Sequence, residues 1–585
     1  MASSTFGFRF SVPVAAGALA MIVTLSAVTP LEAQGLERQN NAGTPRFYPD
    51  DPLWADDDMR DIPPVAKDDL SKSYDFVHNT FGKPVKSGGD ALNVNSLGEV
   101  PDSSWFTNRI GVRDMTIDEV LRGPDTIDGP APGAWEVIGH PTAGITPKFA
   151  IRDSKGIVFL IKLDPATIPE LASSVELIST KIFHAIGYQV PEDFIAYLDP
   201  GWFRVARGAT IKAESGGERP MMVEDVHRWL KHQARRPDGT IRVLASRWVP
   251  GKVVGSFRFT GTRPDDANDI YPHQRRRELR GLRVFAAWLN HDDARSLNSI
   301  DTYVEESGRR YIRHYLQDFG STLGSGSTSA QQPRGGNEYL IEGDQIRKGL
   351  LTFGLWQRDW MKVKYPEAPS LGNIESDAFD PVAWKTEYPH PAFDQMDAAD
   401  AFWAARIVAR FTDAMIKAIV EIAQLSDAGA AKQLANVIIA RRDKVVAKWI
   451  TAVNPVDNFE LRRRARGNVL LFDNAAVRLG AAAPGERYRM TWRTLDNTTG
   501  VEGEAIESNE SSEPVLRVPD AAFGPRDGSG FRYAIASIVT EHPAFPQWRQ
   551  PVRVTLRSRD GVLDIVGIDR GAAGPLPLNT VIGTR

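Results

Sequence analysis

The chain has 585 residues and a formal charge of −4 at pH 7, with 42% hydrophobic and 25% charged residues. This length predicts roughly three or four domains, and the absence of a net positive charge or a long basic run argues against nucleic-acid binding. The sequence contains no cysteine, which excludes disulfides, thiolate metal sites and a cysteine nucleophile.

The N-terminus predicts export. Arg9 is followed by an uncharged, mostly apolar run over residues 12–28, then by Pro30 and by Ala33, which can precede a cleavage point. These features are typical of a secretory signal, and the run is short for a membrane span. We therefore predict a signal peptide over residues 1–33 and a periplasmic or secreted protein with no membrane span after cleavage. An uncleaved membrane anchor is the alternative.

Residues 34–130 predict an irregular N-terminal extension. They are rich in Asp, Pro, Asn and Gly, and their apolar residues occur only in short clusters. Such a composition gives turns and loops rather than regular elements. Trp105 and Phe106 are expected to anchor the extension on the domain that follows.

Residues 131–255 predict an antiparallel sheet and one long helix. Short apolar runs bounded by turn residues predict strands at residues 134–139, 148–152, 157–163, 194–198 and 242–249. Thr167-Ile168-Pro169-Glu170 resembles a capping box, and apolar residues then recur at helical spacing until Gly187. Residues 199–240 are expected to be an insertion. The last strand is expected to connect two lobes and to offer its backbone to an adenine.

Residues 256–455 predict a helical domain, and residues 467–585 predict a small all-β domain of the sandwich type. Apolar side chains at helical spacing indicate helices at residues 274–289, 397–423 and 428–451. In the first of these, Arg275-Arg276-Arg277 is expected to form a solvated face, with binding of a substrate phosphate as the alternative. The β domain alternates polar and apolar residues. It is expected to support the rest of the chain or to bind a partner in the cell envelope.

Two motifs between the helices indicate chemistry. The run His291-Asp292-Asp293-Ala294-Arg295-Ser296-Leu297-Asn298 has the form H-x-D-x-K/R-x-x-N, and Asp318-Phe319-Gly320 follows after one predicted hairpin. This arrangement is typical of a phosphotransferase catalytic loop and its metal-binding tripeptide. Each motif alone is weak, but from average residue frequencies the two together arise by chance on the order of once in ten thousand sequences.

Phosphoryl transfer requires one carboxylate that orients the acceptor and two oxygen ligands that hold magnesium on the phosphates. The spacing assigns the first role to Asp293 and the metal to Asn298 and Asp318. Arg295 is expected to place a cation near the transferred phosphoryl group. The small-residue run at residues 321–330 is expected to be a flexible loop over the cleft, because it directly follows the tripeptide.

The predicted sheet supplies candidate phosphate contacts. Lys162 ends the third strand, where a lysine of this type of site reaches the α and β phosphates. A strand lysine alone is usually solvated, but Glu176 adjoins the apolar stripe of the following helix and can turn toward it. Glu170 is the competing acid. Lys148, on the preceding strand, and Gly144, in the turn before that strand, are the other predicted nucleotide contacts.

These motifs make the chain resemble the atypical branch of the protein-kinase-like superfamily, especially its HipA-type and phosphoinositide-kinase-like groups. The chain also resembles a family of exported bacterial proteins around residues 100–106, 290–298 and 314–324. The superfamily resemblance covers residues 131–455. It implies an α+β, two-lobed fold with an antiparallel sheet N-lobe and a helical C-lobe, and it implies ATP and Mg²⁺ as cofactors. The single Gly144 departs from the usual glycine-rich phosphate loop, and HipA-type proteins are cytoplasmic.

Three functions follow as hypotheses. The first is an exported kinase-fold phosphotransferase that moves the ATP γ-phosphate to a hydroxyl of a protein, a lipid head group or a sugar. The second is a catalytically inactive, pseudokinase-like binding protein of the cell envelope. The third keeps the catalytic fold but transfers another group, such as AMP.

Overall fold

A computed structural model of the protein describes residues 45–82, 89–140, 148–212, 217–465 and 467–571. The predicted signal at residues 1–33 and the predicted phosphate contact Gly144 lie outside these ranges. All described residues belong to one compact unit, Asn40–Arg585. Across the described ranges, no helix has the length and apolar content needed to cross a bilayer.

The extension is irregular apart from two short helices, α1 (Lys72–Phe81) and α2 (Ile117–Arg122). Its predicted anchors Trp105 and Phe106 are both buried. The Trp105 ring stacks on the imidazole of His314, with 3.5 Å between ring centroids. The extension therefore packs on the main body through these aromatic residues, as expected.

The chain then forms a six-stranded mixed sheet, with a short hairpin and a helix in the insertion. The sheet order is β4-β8-β3-β2-β1-β5. Four of its pairings are antiparallel, but β1 and β5 are parallel. The prediction of a wholly antiparallel sheet is therefore wrong for this one pairing. The elements are β1 (Trp135–Gly139), β2 (Lys148–Arg152), β3 (Val158–Leu163), β4 (Asp193–Leu198), β5 (Phe203–Val205), β6 (Thr210–Lys212), β7 (Glu218–Pro220), α4 (Val223–Leu230) and β8 (Ile241–Arg247).

Alternation along the strands gives this sheet two different faces. Phe149 and Ile161 point into an apolar core that also contains Val226 and Leu230 of α4. Because successive strand side chains point to opposite faces, Lys148 and Lys162 lie on the other face. The insertion thus covers one side of the sheet and leaves the lysine side for other contacts.

The helix α3 (Leu171–Ile186) follows β3, and every residue in it except His184 is buried. The predicted capping box at its start is wrong. Glu170 adopts a left-handed conformation with φ 69° and makes no side-chain cap. Instead, Asp164 accepts hydrogen bonds from the backbone N–H of Ser173 (2.9 Å) and from its hydroxyl (2.5 Å). A carboxylate from the preceding loop replaces the local cap and lets α3 begin at Leu171.

The helical part surrounds a three-stranded antiparallel sheet in which β10 lies between β9 and β11. The predicted single helix over residues 397–423 is two helices, because Thr412 accepts a hydrogen bond from the N–H of Met415 and caps a new one. The elements are β9 (Lys252–Gly255), α5 (Arg277–Leu289), β10 (Ser299–Glu306), β11 (Arg309–Leu316), α6 (Gly343–Leu351), α7 (Ala398–Val408), α8 (Asp413–Glu421) and α9 (Ala428–Ile450).

The triple arginine is not a solvated face. Arg276 is fully buried and Arg277 is also buried. The guanidinium of Arg276 lies 3.2 Å from Asp269 and 3.7 Å from Glu278, and Arg277 lies 2.9 Å from Asp400. These acids compensate the buried charges, which the charge run alone does not reveal. We call the residues Asp269, His273, Arg276 and Glu278 the buried ion cluster.

The C-terminal part consists of two antiparallel sheets that share one apolar core. Val456, Leu470 and Phe472 of one sheet pack with Met490 and Trp492 of the other, as expected for a sandwich. Its first strand begins at Val456, before the predicted residue 467. The elements are β12 (Val456–Arg464), β13 (Gly467–Asn474), α10 (Ala475–Arg478), β14 (Arg487–Leu495), β15 (Glu502–Ser511), β16 (Val515–Arg517), β17 (Arg532–Glu541), β18 (Val552–Arg559) and β19 (Val562–Asp569). The fold class is therefore mixed α+β.

Candidate active site

Three predicted site residues from distant segments meet at one point. The Nζ atom of Lys162, near the end of β3, lies 2.5 Å from Oε1 of Glu176 in the second turn of α3. The same Nζ lies 3.0 Å from Oδ1 of Asp318, which follows β11. Glu176 is buried, whereas the side chain of Asp318 is 40% exposed. The Lys162 ammonium is thus held by the buried Glu176 and is shared with the partly exposed carboxylate of Asp318.

The charges of these three groups depend on each other. Burial disfavours the charged form of Lys162, but the carboxylates of Asp318 and Glu176 outweigh burial and raise its pKa. Lys162 in turn lowers the pKa of Asp318. Burial raises the pKa of Glu176, and the Lys162 ammonium opposes that shift. At neutral pH the site therefore holds an ammonium group next to an ionised Asp318.

Lys148 lies beside Lys162 on the same face of the sheet. The two residues are directly opposite each other in the β2–β3 register, so their side chains point the same way. Burial lowers the pKa of Lys148, while Asp318 favours its charged form. The sheet therefore presents two neighbouring lysines toward Asp318, a pattern suited to phosphate.

Glu170, the competing acid, lies elsewhere. Its Oε2 accepts hydrogen bonds from the backbone N–H of Ser426 at 2.9 Å and from the hydroxyl of that residue at 3.1 Å. Glu170 thus connects the start of α3 to the chain just before α9. Glu176 alone of the two acids reaches Lys162.

The loop between α5 and β10 brings Asn298 back onto Asp293. Nδ2 of Asn298 donates to the backbone oxygen of Asp293 at 2.8 Å and to its Oδ2 at 2.9 Å. The N–H of Gln317 donates to the backbone oxygen of Asn298 at 3.0 Å, which places Asp318 beside this loop. The amide oxygen of Asn298 is the atom that could bind a cation, because an amide NH2 group is only a hydrogen-bond donor.

Arg295 has two carboxylate partners, one of which the sequence did not indicate. Its Nε lies 2.8 Å from Oδ1 of Asp293, and its Nη1 lies 3.0 Å from Oε2 of Glu387. Burial raises the pKa of Asp293 to about 7, although Arg295 opposes that shift. Glu387 stands alone in the sequence, far from either motif, so only the tertiary contact identifies it. Arg295 therefore orients Asp293 in addition to carrying the predicted positive charge.

The first residue of the loop and the tripeptide pack through their aromatic rings. Phe319 stacks on Phe183 of α3 with ring centroids 4.7 Å apart, and His291 lies 5.7 Å from Phe319. Burial lowers the pKa of His291 to about 4, so this ring is neutral at physiological pH. Asp318 adopts a left-handed conformation with φ 61°, which Asp tolerates better than most residues. These contacts tie the tripeptide to α3.

The segment that follows the tripeptide is packed against two helices, so the prediction of a flexible loop over the cleft, made from its position after the tripeptide, is wrong. The hydroxyl of Thr322 lies 2.7 Å from that of Ser179 in α3. Leu323 is fully buried, and its N–H donates to the backbone oxygen of Leu289 at 2.7 Å. Small residues here permit close packing between α3 and α5, which composition cannot distinguish from flexibility.

A cavity of about 740 Å³ continues the lysine face of the sheet. Ala150 and Val158 line it, and they share a face with Lys148 and Lys162 because they lie two and four residues away on their strands. The end of β8, predicted to connect two lobes, forms another wall. The complete lining is Ile138, Gly139, His140, Ala150, Ile157, Val158, Arg247 and Trp248.

The described residues contain no group of three or more His, Asp or Glu side chains that could hold a metal by themselves. Asn298 and Asp318 together offer one amide oxygen and one carboxylate. Mg²⁺ is commonly held by one or two carboxylates together with substrate phosphates and water. The donor set therefore fits magnesium that arrives with a nucleotide better than a resident metal.

No protein-family model and no curated protein sequence matches this chain significantly. Among solved structures, the chain is similar to the proinflammatory kinase CtkA of Helicobacter pylori, with 14% sequence identity and a TM-score of 0.28. The similarity covers 54% of this chain and 96% of that chain. At this TM-score, the similarity by itself assigns neither a fold nor a function to the chain.

Proposed function

We propose that the protein is a kinase-fold phosphotransferase that uses magnesium-ATP to phosphorylate a hydroxyl group. The observation that carries the proposal is the meeting of Lys162 with Glu176 and Asp318. Structural ion pairs are common, but this one joins a strand lysine, a helix glutamate and the aspartate of a D-F-G tripeptide. Such a set positions phosphates and metal in kinases.

Each residue has a role in this proposal. Lys162, held by Glu176, binds the phosphates, and Lys148 adds a second positive charge on the same face. Oδ2 of Asp318 and the amide oxygen of Asn298 hold the metal, which neutralises charge on the phosphates when bound. Binding of the metal requires Asp318 to share its carboxylate between Lys162 and the cation. The cavity next to Ala150 and Val158 accepts the base.

Asp293 orients the acceptor hydroxyl and receives its proton as the hydroxyl oxygen bonds to the γ-phosphorus of ATP. The bond from that phosphorus to the β–γ bridging oxygen breaks, and ADP leaves with the electron pair. A carboxylate whose pKa lies near 7 is well suited to exchange a proton at neutral pH. Arg295 and Asn298 hold the carboxylate from two sides. Glu387 holds Arg295, and we assign it a positioning role.

Nucleotide binding tests this proposal most directly. We expect calorimetry to detect magnesium-ATP binding by the wild type and at least a tenfold loss in Asp318→Ala. Asp560→Ala, in the hairpin between β18 and β19, is the matched control and should bind as the wild type does. Absence of binding to the wild type would remove the proposal. If the wild type binds magnesium-ATP, the mass of a modified product distinguishes transfer of a phosphoryl group from transfer of AMP.

A second candidate is a binding protein of the cell envelope without catalytic activity. Asp293 favours it, because its side chain is only 13% exposed and both Arg295 and Asn298 contact it. A base held in this way is poorly accessible to an acceptor. This candidate predicts that Asp293→Ala leaves the cellular phenotype intact, while changes on the surface of the C-terminal sandwich abolish it. The predicted export signal is consistent with both candidates.

A further inference from the structure

One surface segment, residues 343–364, exposes several large apolar side chains to solvent. We call residues 343–364 the apolar projection. It begins with α6, in which no residue is buried. Phe353 is 94% exposed, Leu355 is 83% exposed, and Leu350 and Leu351 are each 74% exposed. Helices in globular proteins normally bury one apolar face, so this helix lacks the surface that it would pack against.

The apolar projection is also basic and contains two tryptophans. It has five basic and two acidic residues, in a chain whose formal charge is −4. Nζ of Lys348 lies 4.9 Å above the ring of Trp356, and the Arg358 guanidinium lies 5.6 Å from the ring of Trp360. Basic residues and tryptophan around an apolar tip are typical of segments that lie at a membrane surface.

The N-terminal end of the apolar projection is attached to the body of the protein. Nζ of Lys385 lies 2.5 Å from Oε1 of Glu342, and the N–H of Leu340 donates to the backbone oxygen of Glu387 at 2.6 Å. The Glu387 carboxylate binds Arg295 beside Asp293. The projection therefore extends from a defined base next to the candidate active site.

We propose that the apolar projection docks the protein onto an anionic lipid surface. Its leucine and phenylalanine side chains enter the boundary between head groups and acyl chains, while Lys348 and Lys364 contact anionic head groups. The basic character of the projection favours an anionic lipid surface over a second copy of the chain as the partner that covers it. A symmetric contact between two copies would bring two basic rims together and would be repulsive. The proposal does not depend on phosphotransfer.

The absence of cysteine permits a site-specific test in the full chain. Leu355→Cys labelled with an environment-sensitive fluorophore reports the tip, and Val562→Cys, at the start of β19, is the matched exposed control. With phosphatidylglycerol vesicles we expect a blue shift and protection from an aqueous quencher at residue 355 only. The test holds with the N-terminal leader included, because a protein bound to the vesicle only through that leader would leave the probe at residue 355 in water.

The second arm measures affinity with the labelled Leu355→Cys chain. Adding Leu350→Ser and Phe353→Ser should weaken vesicle binding at least tenfold, since two large apolar side chains lose their burial in lipid. Adding Val501→Ser and Val562→Ser instead should leave it unchanged. Binding should also fall as salt is raised.

Several outcomes would overturn the proposal. These are an unshifted probe at residue 355, an equal shift at residue 562, equal binding to neutral phosphatidylcholine vesicles, or no effect of the tip substitutions. If light scattering instead shows that the wild type self-associates and the tip substitutions abolish this, the occupant is a second copy. A normal melting temperature for each variant ensures that loss of binding is not loss of folding.

Discussion

The candidate active site and the buried ion cluster both hold charges away from water, but they differ in what closes them. In the buried ion cluster, the side chains of Asp269 and Arg276 are fully buried and His273 is 3% exposed. The extension covers it, with the Trp105 ring 4.5 Å from the guanidinium of Arg276. At the candidate active site, by contrast, Asp318 remains partly exposed.

This difference separates two uses of buried charge. In the cluster, Asp269 and Glu278 compensate the charge of Arg276, and the Trp105 ring lies over its guanidinium. At the candidate site, Lys162 pairs with the buried Glu176, while the side chain of Asp318 is 40% exposed. Strongly shifted pKa values occur in both regions, so they do not identify a functional site by themselves. An open side next to a cavity does so more specifically.

The largest expected effect concerns the cluster. Arg276→Met should lower the free energy of unfolding by about 3–5 kcal/mol, because Asp269 and Glu278 lose their shared cation in buried surroundings. Urea unfolding monitored by tryptophan fluorescence measures the loss. Arg275→Met, at the half-buried neighbouring position, should cost about 1 kcal/mol or less. Equal costs at both positions would show that the cluster is not a structural unit.

Removing the cation of the candidate site should cost less. Lys162→Met is expected to lower the free energy of unfolding by about 2–3 kcal/mol. The cost is limited because Glu176, whose pKa burial already raises, can take up a proton. The same variant should lose magnesium-ATP binding in calorimetry. Lys155→Met, in the exposed turn before β3, should change neither quantity; a loss of binding there would contradict the assignment of Lys162.

The pH dependence of stability should reveal the carboxyl of Asp293. Its pKa in the folded protein is about 7, whereas an unfolded chain has a value of about 4. The folded state thus holds this proton more tightly, and the resulting stability is complete below pH 4 and lost as the pH rises through 7. From pH 5 to pH 8, the stability of the wild type relative to Asp293→Asn should fall by on the order of 2 kcal/mol.

Thermal or urea unfolding at several pH values checks this sign. Asp61→Asn is the control, because hydrogen bonds from Arg310 lower the pKa of Asp61 and keep it ionised throughout this range. The stability difference for Asp61→Asn should therefore stay flat between pH 5 and pH 8. A flat difference for Asp293→Asn as well would mean that Asp293 ionises normally.

The smallest effect is expected at the competing acid. Glu170→Gln should leave the affinity for magnesium-ATP within about twofold of the wild type and change stability by less than about 0.5 kcal/mol. Within the described residues, the hydrogen bonds to its carboxylate come from Ser426. Glu176→Gln should weaken nucleotide binding about tenfold, since Lys162 loses the group that orients it. Similar affinities for the two variants would remove the distinction between these acids.

Much of the candidate site could be predicted because its residues follow local periodicities. Glu176 adjoins an apolar stripe at helical spacing, and Lys162 lies near the end of a strand with alternating burial. Asp318 follows a hairpin whose turn returns the chain beside Asn298. Helix and strand periods depend on nearby residues, so the side on which each group lies can be derived without the fold.

Other features could not be predicted because they depend on distant partners. Arg276 looks solvated until Asp269 and Trp105 surround it. Glu170 fits a capping box, but the loop carboxylate of Asp164 provides the cap instead. The apolar projection gives no unusual signal in the sequence, because an apolar helix is normally expected to find a partner in the core.

The sequence by itself determined the helices and strands next to the site, the spacing of the two motifs and the identities of the groups that could bind phosphate and metal. Tertiary structure alone decided which of these groups meet, since Lys162 and Asp318 are 156 residues apart and their contact depends on the packing of the sheet against α3 and the β10–β11 hairpin. It also decided which charges are enclosed and which apolar side chains remain exposed. The physical reason is that burial and charge compensation are properties of the whole packed chain, whereas helix and strand periodicity is local.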